Sequence, residues 1–158
     1  MYKTRQAFTM IELVFVIAVI GILSAIAVPK FAASRADAEV TKAKVTVSSV
    51  RVAIMAEKQA RILKGDFATP VSALHTTGFA FSTFNADRDG ITNDVLQYPI
   101  ENCSSLGRTG DDREGCWEIA GTTYIYNMPV SGTDVVFTIS NGRFDCTRTQ
   151  VECLELTR

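Results

Sequence analysis

One histidine, four cysteines and two acid-rich turns are the residues of this 158-residue chain whose types could do chemistry. A Ser/His or Cys/His nucleophile would depend on His75 alone, and one imidazole argues against a histidine metal site. His75 reads as a surface residue. Ser104-Ser105 has no base near it in sequence. No GxSxG, P-loop or dinucleotide fingerprint occurs, and no enzymatic activity is expected. Cys103, Cys116, Cys146 and Cys153 form no CxxC pair and sit on separate stretches, which argues against zinc. In an oxidising compartment an even number of cysteines reads as two disulfides, with three possible connectivities. Cys103–Cys116 with Cys146–Cys153 closes two local loops and is the expected pairing. Each bridge would restrict the unfolded chain by about 2.5–3 kcal/mol.

The segment from Asn85 to Asp94 places Asn85, Asp87 and Asp89 at alternate positions before Gly90, with Asn93 and Asp94 following. This resembles the first half of an EF-hand loop, and calcium is the one candidate cofactor. The bidentate Glu of such a loop is missing, and Leu96 stands in its place. The competing reading is a solvated Asp/Asn turn. A second acidic turn, Gly110–Gly115, lacks the alternation and reads as a loop.

Sixteen Lys+Arg against seventeen Asp+Glu give a net charge of −1. Without a basic excess, direct nucleic-acid binding is not expected. Apolar residues make up 47% and charged ones 21%, which excludes a disordered polyelectrolyte. The apolar residues are concentrated. From Leu13 to Val28 the chain carries no charge, and from Phe8 to Val28 only Glu12 interrupts it. As a helix, Phe8–Val28 is roughly 31 Å long, close to the thickness of a hydrocarbon core. A buried helix, a removable signal peptide cut after Ala25-Ile26-Ala27, and a retained transmembrane helix compete for it. Lys3 and Arg5 before the span nearly balance Lys30 and Arg35 after it, so charge alone does not set orientation.

The residues ahead of the span decide among these. Lys3 to Leu13, KTRQAFTMIEL, resembles the N-terminal signature of type IV pilins and type II secretion pseudopilins. In that family a prepilin peptidase removes a basic leader before a hydrophobic residue, which is then N-methylated. The resemblance implies cleavage between Ala7 and Phe8 and methylation of Phe8, with Thr9, Met10, Ile11 and Glu12 following in the family's order. Ala7 departs from the usual Gly and is also small. The resemblance further implies that Glu12 pairs with the N-terminal amine of a neighbouring subunit and, with Thr9, sets assembly and register. It implies stretching of the helix between Gly21 and Pro29; Pro29 itself removes a backbone bond to residue 25 and predicts a bend. Some pseudopilins carry a calcium loop, which favours the reading of 85–94 as a cation site.

Beyond the span, Ala33, Ala36, Val40, Ala43, Val47, Val50 and Ile54 form one apolar stripe. Lys42, Lys44, Arg51, Glu57, Lys58 and Arg61 fall to the remaining faces. Gly65 reads as the C-cap, so one helix is expected over 8–64. A short helix near 70–76 follows, then strands over Phe79–Phe84, Thr122–Met128, Val135–Ser140, Arg143–Cys146 and Val151–Leu156. Pro129–Asp134 and Asn141-Gly142 are the turns. Trp117 reads as core against a disulfide.

The expected fold is α+β and pilin-like: one long N-terminal helix, transmembrane then amphipathic, on a small antiparallel sheet. Its expected parts are a leader at 1–7, a membrane and filament-core helix at 8–30, an amphipathic half at 31–65, and a two-disulfide domain at 66–158. The implied function is a structural subunit of a type IV pilus-like filament, a helical homopolymer. The implied partners are prepilin peptidase, an inner-membrane assembly platform and a cytoplasmic assembly ATPase. The implied location is the bacterial inner membrane, single pass, N-terminus cytoplasmic and C-terminal domain periplasmic, then the pilus or a periplasmic pseudopilus. The alternatives are a pseudopilin of a type II secretion or competence system and a membrane-tethered periplasmic binding domain or enzyme.

Overall fold

The structure is a computed structural model describing residues 8–75, 79–147 and 149–158, without the side chains at 32, 33 and 111. The expected leader with Ala7 and the side chain of Ala33 lie outside the described residues. The chain forms two compact units, divided between Asp37 and Ala38.

Helix α1 spans Met10–Leu63 and begins in the first unit. Thr9 starts it. Its Oγ1 accepts the Glu12 N–H at 3.3 Å and its carbonyl accepts the Leu13 N–H at 3.2 Å. Thr9 is therefore the N-cap and Glu12 the third helical residue, the spacing of a capping box. The helical assignment runs unbroken through Gly21 and Pro29. None of the apolar side chains from Met10 to Val28 is buried. By length and composition this stretch is able to cross a membrane.

In the second unit α1 carries the predicted stripe. Val40, Ala43, Val47, Val50 and Ile54 are all buried. The stripe continues through Glu57 and Arg61, which are buried too. Their expected place on the faces outside the stripe is therefore corrected. The spacing of three and four carries the face past Ile54, and a mutual ion pair of 2.7 Å makes burial tolerable. The helix ends in a Schellman motif. Gly65 has φ +74, its N–H reaches the Ile62 carbonyl, and the Asp66 N–H reaches the Arg61 carbonyl.

Four strands follow as an antiparallel meander, β3 (Trp117–Ala120), β4 (Thr123–Asn127), β5 (Asp134–Ser140) and β6 (Arg143–Cys146). A two-residue ladder of β1 (Phe79–Ala80) and β2 (Ile100–Glu101) precedes them. At Asn141-Gly142 both φ values are positive, +53 and +69, as a type I′ hairpin turn between Ser140 and Arg143 requires. Phe81, Trp117, Tyr124, Tyr126, Phe137 and Phe144 form a contiguous aromatic core, with ring centroids 4.9–6.5 Å apart. The Tyr126 hydroxyl donates to the Glu39 carbonyl and Arg51 pairs with Asp145 at 2.7 Å, tying α1 to β4 and β6.

Three expectations are corrected. Residues 70–75 form no helix, because side chains from elsewhere take their amides. Asn85 Oδ1 accepts from Ser72 and Ala73, and the Tyr124 hydroxyl from Leu74. Residue 76, the end of that expected helix, lies outside the described residues. The strand from Phe79 stops at Ala80, since Phe81 turns at φ +58 to enter the aromatic core. Val151–Leu156 is not a strand: Val151–Thr157 is helix α2, which buries Cys153 and Leu156 three residues apart. The sequence V-E-C-L-E-L is equally a helical spacing, with Cys153 and Leu156 three residues apart on one face.

Candidate functional site

Residues 8–12 place a carboxylate at the head of an apolar rod. Phe8, Met10 and Ile11 are 79%, 84% and 78% exposed, and Glu12 is exposed beside them. The capping by Thr9 fixes where the helix begins, and hence the side of it on which Glu12 projects. Thr9 thus has a positional role in this chain that its hydroxyl and its spacing to Glu12 could have disclosed.

The expected cation loop is organised by the chain itself. Asn85 spends its amide on residues 70–73: Oδ1 accepts from Ser72 and Ala73, and Nδ2 donates to the Pro70 carbonyl. Asp87 Oδ1 accepts the N–H groups of Asp89 and Ile91, and its Oδ2 pairs with Lys64 Nζ at 3.0 Å. Those amides and the Lys64 ammonium hold the Asp87 carboxyl below the usual carboxylate range. Asp89 faces Arg88, and Asn93 donates to Glu57 Oε2. Asp94 pairs through its backbone with Thr83. Each of these five residues is thus engaged by a partner within the chain. Among the described residues no group of three or more His, Cys, Asp or Glu side chains is placed to hold a metal.

Arg61 is the centre of this region, and reading from sequence missed it. Besides Glu57, its guanidinium donates to the carbonyls of Thr69, Pro70 and Asn85. Asp66 completes the arrangement by accepting from the backbone of Ala68, Thr69 and Arg88. Burial alone would raise the Asp66 pKa, but the amide donors outweigh it and lower the value. The signal was present in sequence, as Glu57 and Arg61 sit at i+3 and i+7 from Ile54. Polar identity hid it.

His75 is half-buried rather than a plain surface residue. Its Nδ1 lies 2.7 Å from the Tyr124 hydroxyl, which also accepts the Leu74 N–H. The two groups are hydrogen-bonded, with a direction set by the imidazole tautomer. Burial lowers the His75 pKa and raises that of Tyr124 to about 12. This contact ties the segment before β1 to β4. Two disulfides, Cys103–Cys116 and Cys146–Cys153, hold their Cα atoms 5.5 and 5.9 Å apart. The first closes the loop before β3, and the second ties β6 to α2.

The family model described as the prokaryotic N-terminal methylation motif matches residues 2–28. Two fimbrial proteins of Pseudomonas aeruginosa are each 39% identical to the chain over 85 residues, covering 51% of it and 53% of the relative. The chain spans about half the length of the curated relatives it matches. No solved structure matches. The head of α1 thus carries a type IV pilin-family signature, and the fold is α+β and pilin-like.

Proposed function

We propose that the chain is a structural subunit of a type IV pilus-like helical filament. The observation that carries this is the stretch Met10–Val28, a helix none of whose apolar side chains is buried among the described residues. Each Leu, Ile, Val or Phe removed from water contributes roughly 1.5–3 kcal/mol. A carboxylate at mid-membrane costs about 2.5–3.5 kcal/mol, and less near an end. Two apolar side chains offset Glu12, so the helix inserts despite it.

In this reading prepilin peptidase cuts between Ala7 and Phe8, and Phe8 is N-methylated. The chain waits in the inner membrane, its N-terminus cytoplasmic and its C-terminal domain periplasmic. An assembly platform, driven by a cytoplasmic ATPase, then draws it into the filament. Copies pack through residues 8–30. Glu12 pairs with the Phe8 amine of a neighbour and sets register, while Thr9 holds the helix start on which that geometry depends. The backbone yields between Gly21 and Pro29. Residues 31–65 and 66–158 form the exposed shell, closed by the two disulfides.

The test is intact mass and N-terminal sequencing of the native protein from membranes and from a sheared surface fraction. A chain starting at methylated Phe8 in the sheared fraction is the expected result. The same chain confined to the periplasm makes it a pseudopilin of a secretion or competence system. A chain still starting at Met1 overturns the reading. Glu12→Ala is expected to keep membrane insertion and abolish filaments.

A further inference from the structure

A groove of about 870 Å³ opens in the second unit between α1, the 141–142 turn and α2. Met55 and Ile62, 63% and 43% exposed, lie in it with Leu154. Its rim is basic. Lys58 makes no ion pair among the described residues, and Arg51 and Arg143 share the single carboxylate of Asp145. An apolar floor under surplus positive charge suits an apolar knob flanked by acids.

The chain carries such a knob elsewhere on its surface. Between Asp89 and Glu101 there is no basic residue, and Asp94 and Glu101 are both exposed. Between these two acids stands Tyr98, 81% exposed. No residue of 89–101 lines the groove, so the knob does not fill the groove of its own chain. A tyrosine buries roughly 150–250 Å² and is among the side chains that anchor interfaces.

We propose that the groove beside Lys58 receives the Asp94–Glu101 segment of a second copy, Tyr98 inserting over Met55 and Ile62 and the acids facing Lys58 and Arg143. The contact joins two different patches, so it is heterologous and propagates into a helical polymer rather than closing a dimer. It rests on the filament reading and adds to it a specific side-to-side contact between globular units, independent of the helix core.

The test uses the full chain in a host that assembles it. Tyr98→Ala, and separately Lys58→Glu with Arg143→Glu, should each lower sheared filament at least tenfold while membrane levels and protease resistance stay as in the unaltered chain. Combining the groove reversal with Asp94→Lys and Glu101→Lys should restore filament to within about twofold. Filament unaffected by either change overturns the contact and leaves the filament reading standing. Loss without reciprocal rescue overturns the pairing of these two patches. If the unaltered chain yields no filament, the filament reading fails first and this contact with it.

Discussion

Helix α1 contains two regions that follow the same local rules and end in opposite conditions. From Ala38 to Leu63 one stripe is covered by the aromatic core, and even its charged members are paired. From Met10 to Val28 no side chain is buried among the described residues. The first needs only its own chain to be satisfied. The second is satisfied only by lipid or by other copies. Folding stability is therefore lodged in the first region and, in the proposed filament, assembly in the second, and substitutions should separate them.

The sharpest contrast sets Val47→Asp against Val19→Asp. Val47 is fully buried, so its replacement places an unpaired charge in the core and should cost at least about 5 kcal/mol, unfolding the second unit. Val19→Asp should leave the melting temperature of that unit unchanged and reduce membrane insertion. Circular dichroism and membrane fractionation of the full chain read both. A Val19→Asp chain that melts early would mean that the two regions are not energetically separate.

Arg61→Ala tests the polar end of the buried stripe. Glu57 would be left buried without its cation, at a cost of about 3–5 kcal/mol. Replacing both by leucine should recover much of that in urea titrations. Loss of the Cys103–Cys116 bridge should cost about 3 kcal/mol, and that of Cys146–Cys153 about 2.5 kcal/mol. Comparing each pair of serine variants with the oxidised parent checks this.

A smaller effect follows from His75. Its pKa is lowered by folding, so the unfolded chain binds the extra proton first. Stability is full above the unfolded value of about 6.5 and falls as pH drops below it. His75→Gln should flatten that limb of the melting-temperature profile, while the separate loss near the carboxylate range, carried by Asp66 and Asp87, persists. The smallest expected effect is that of calcium. With Asp87 already neutralised by Lys64, millimolar calcium should leave the melting temperature unchanged. A rise of several degrees would show the 85–94 loop rearranging into a cation site.

Much of the satisfied region was legible in the sequence. Alternation and Asn-Gly chemistry located β4, β5 and the turn into β6, and period-3.6 apolar spacing located the stripe of α1. What escaped was decided by distant partners. Residues 70–75 lose their helix to Asn85 and Tyr124, side chains 10 or more positions away. Trp117–Ala120 is four residues long and half-buried, with too little alternation to stand out before its partner β4 is known. The head of α1 was legible through a resemblance carried by five consecutive residues, Phe8 to Glu12, while the capping by Thr9 was read only from the structure.

The Cys146–Cys153 bridge also bears on force. In the proposed filament, tension would enter each globular unit and seek the segment that peels most easily. Helix α2 has only seven residues and follows the edge strand β6, so it is the natural place for a tear to start. The seven residue steps from Cys146 to Cys153, pulled straight, would span about 24 Å. The bridge holds these two Cα atoms 5.9 Å apart. Load passing from β6 to the first turn of α2 crosses a covalent bond instead of straightening that loop, and only the chain beyond Cys153 is left free to peel.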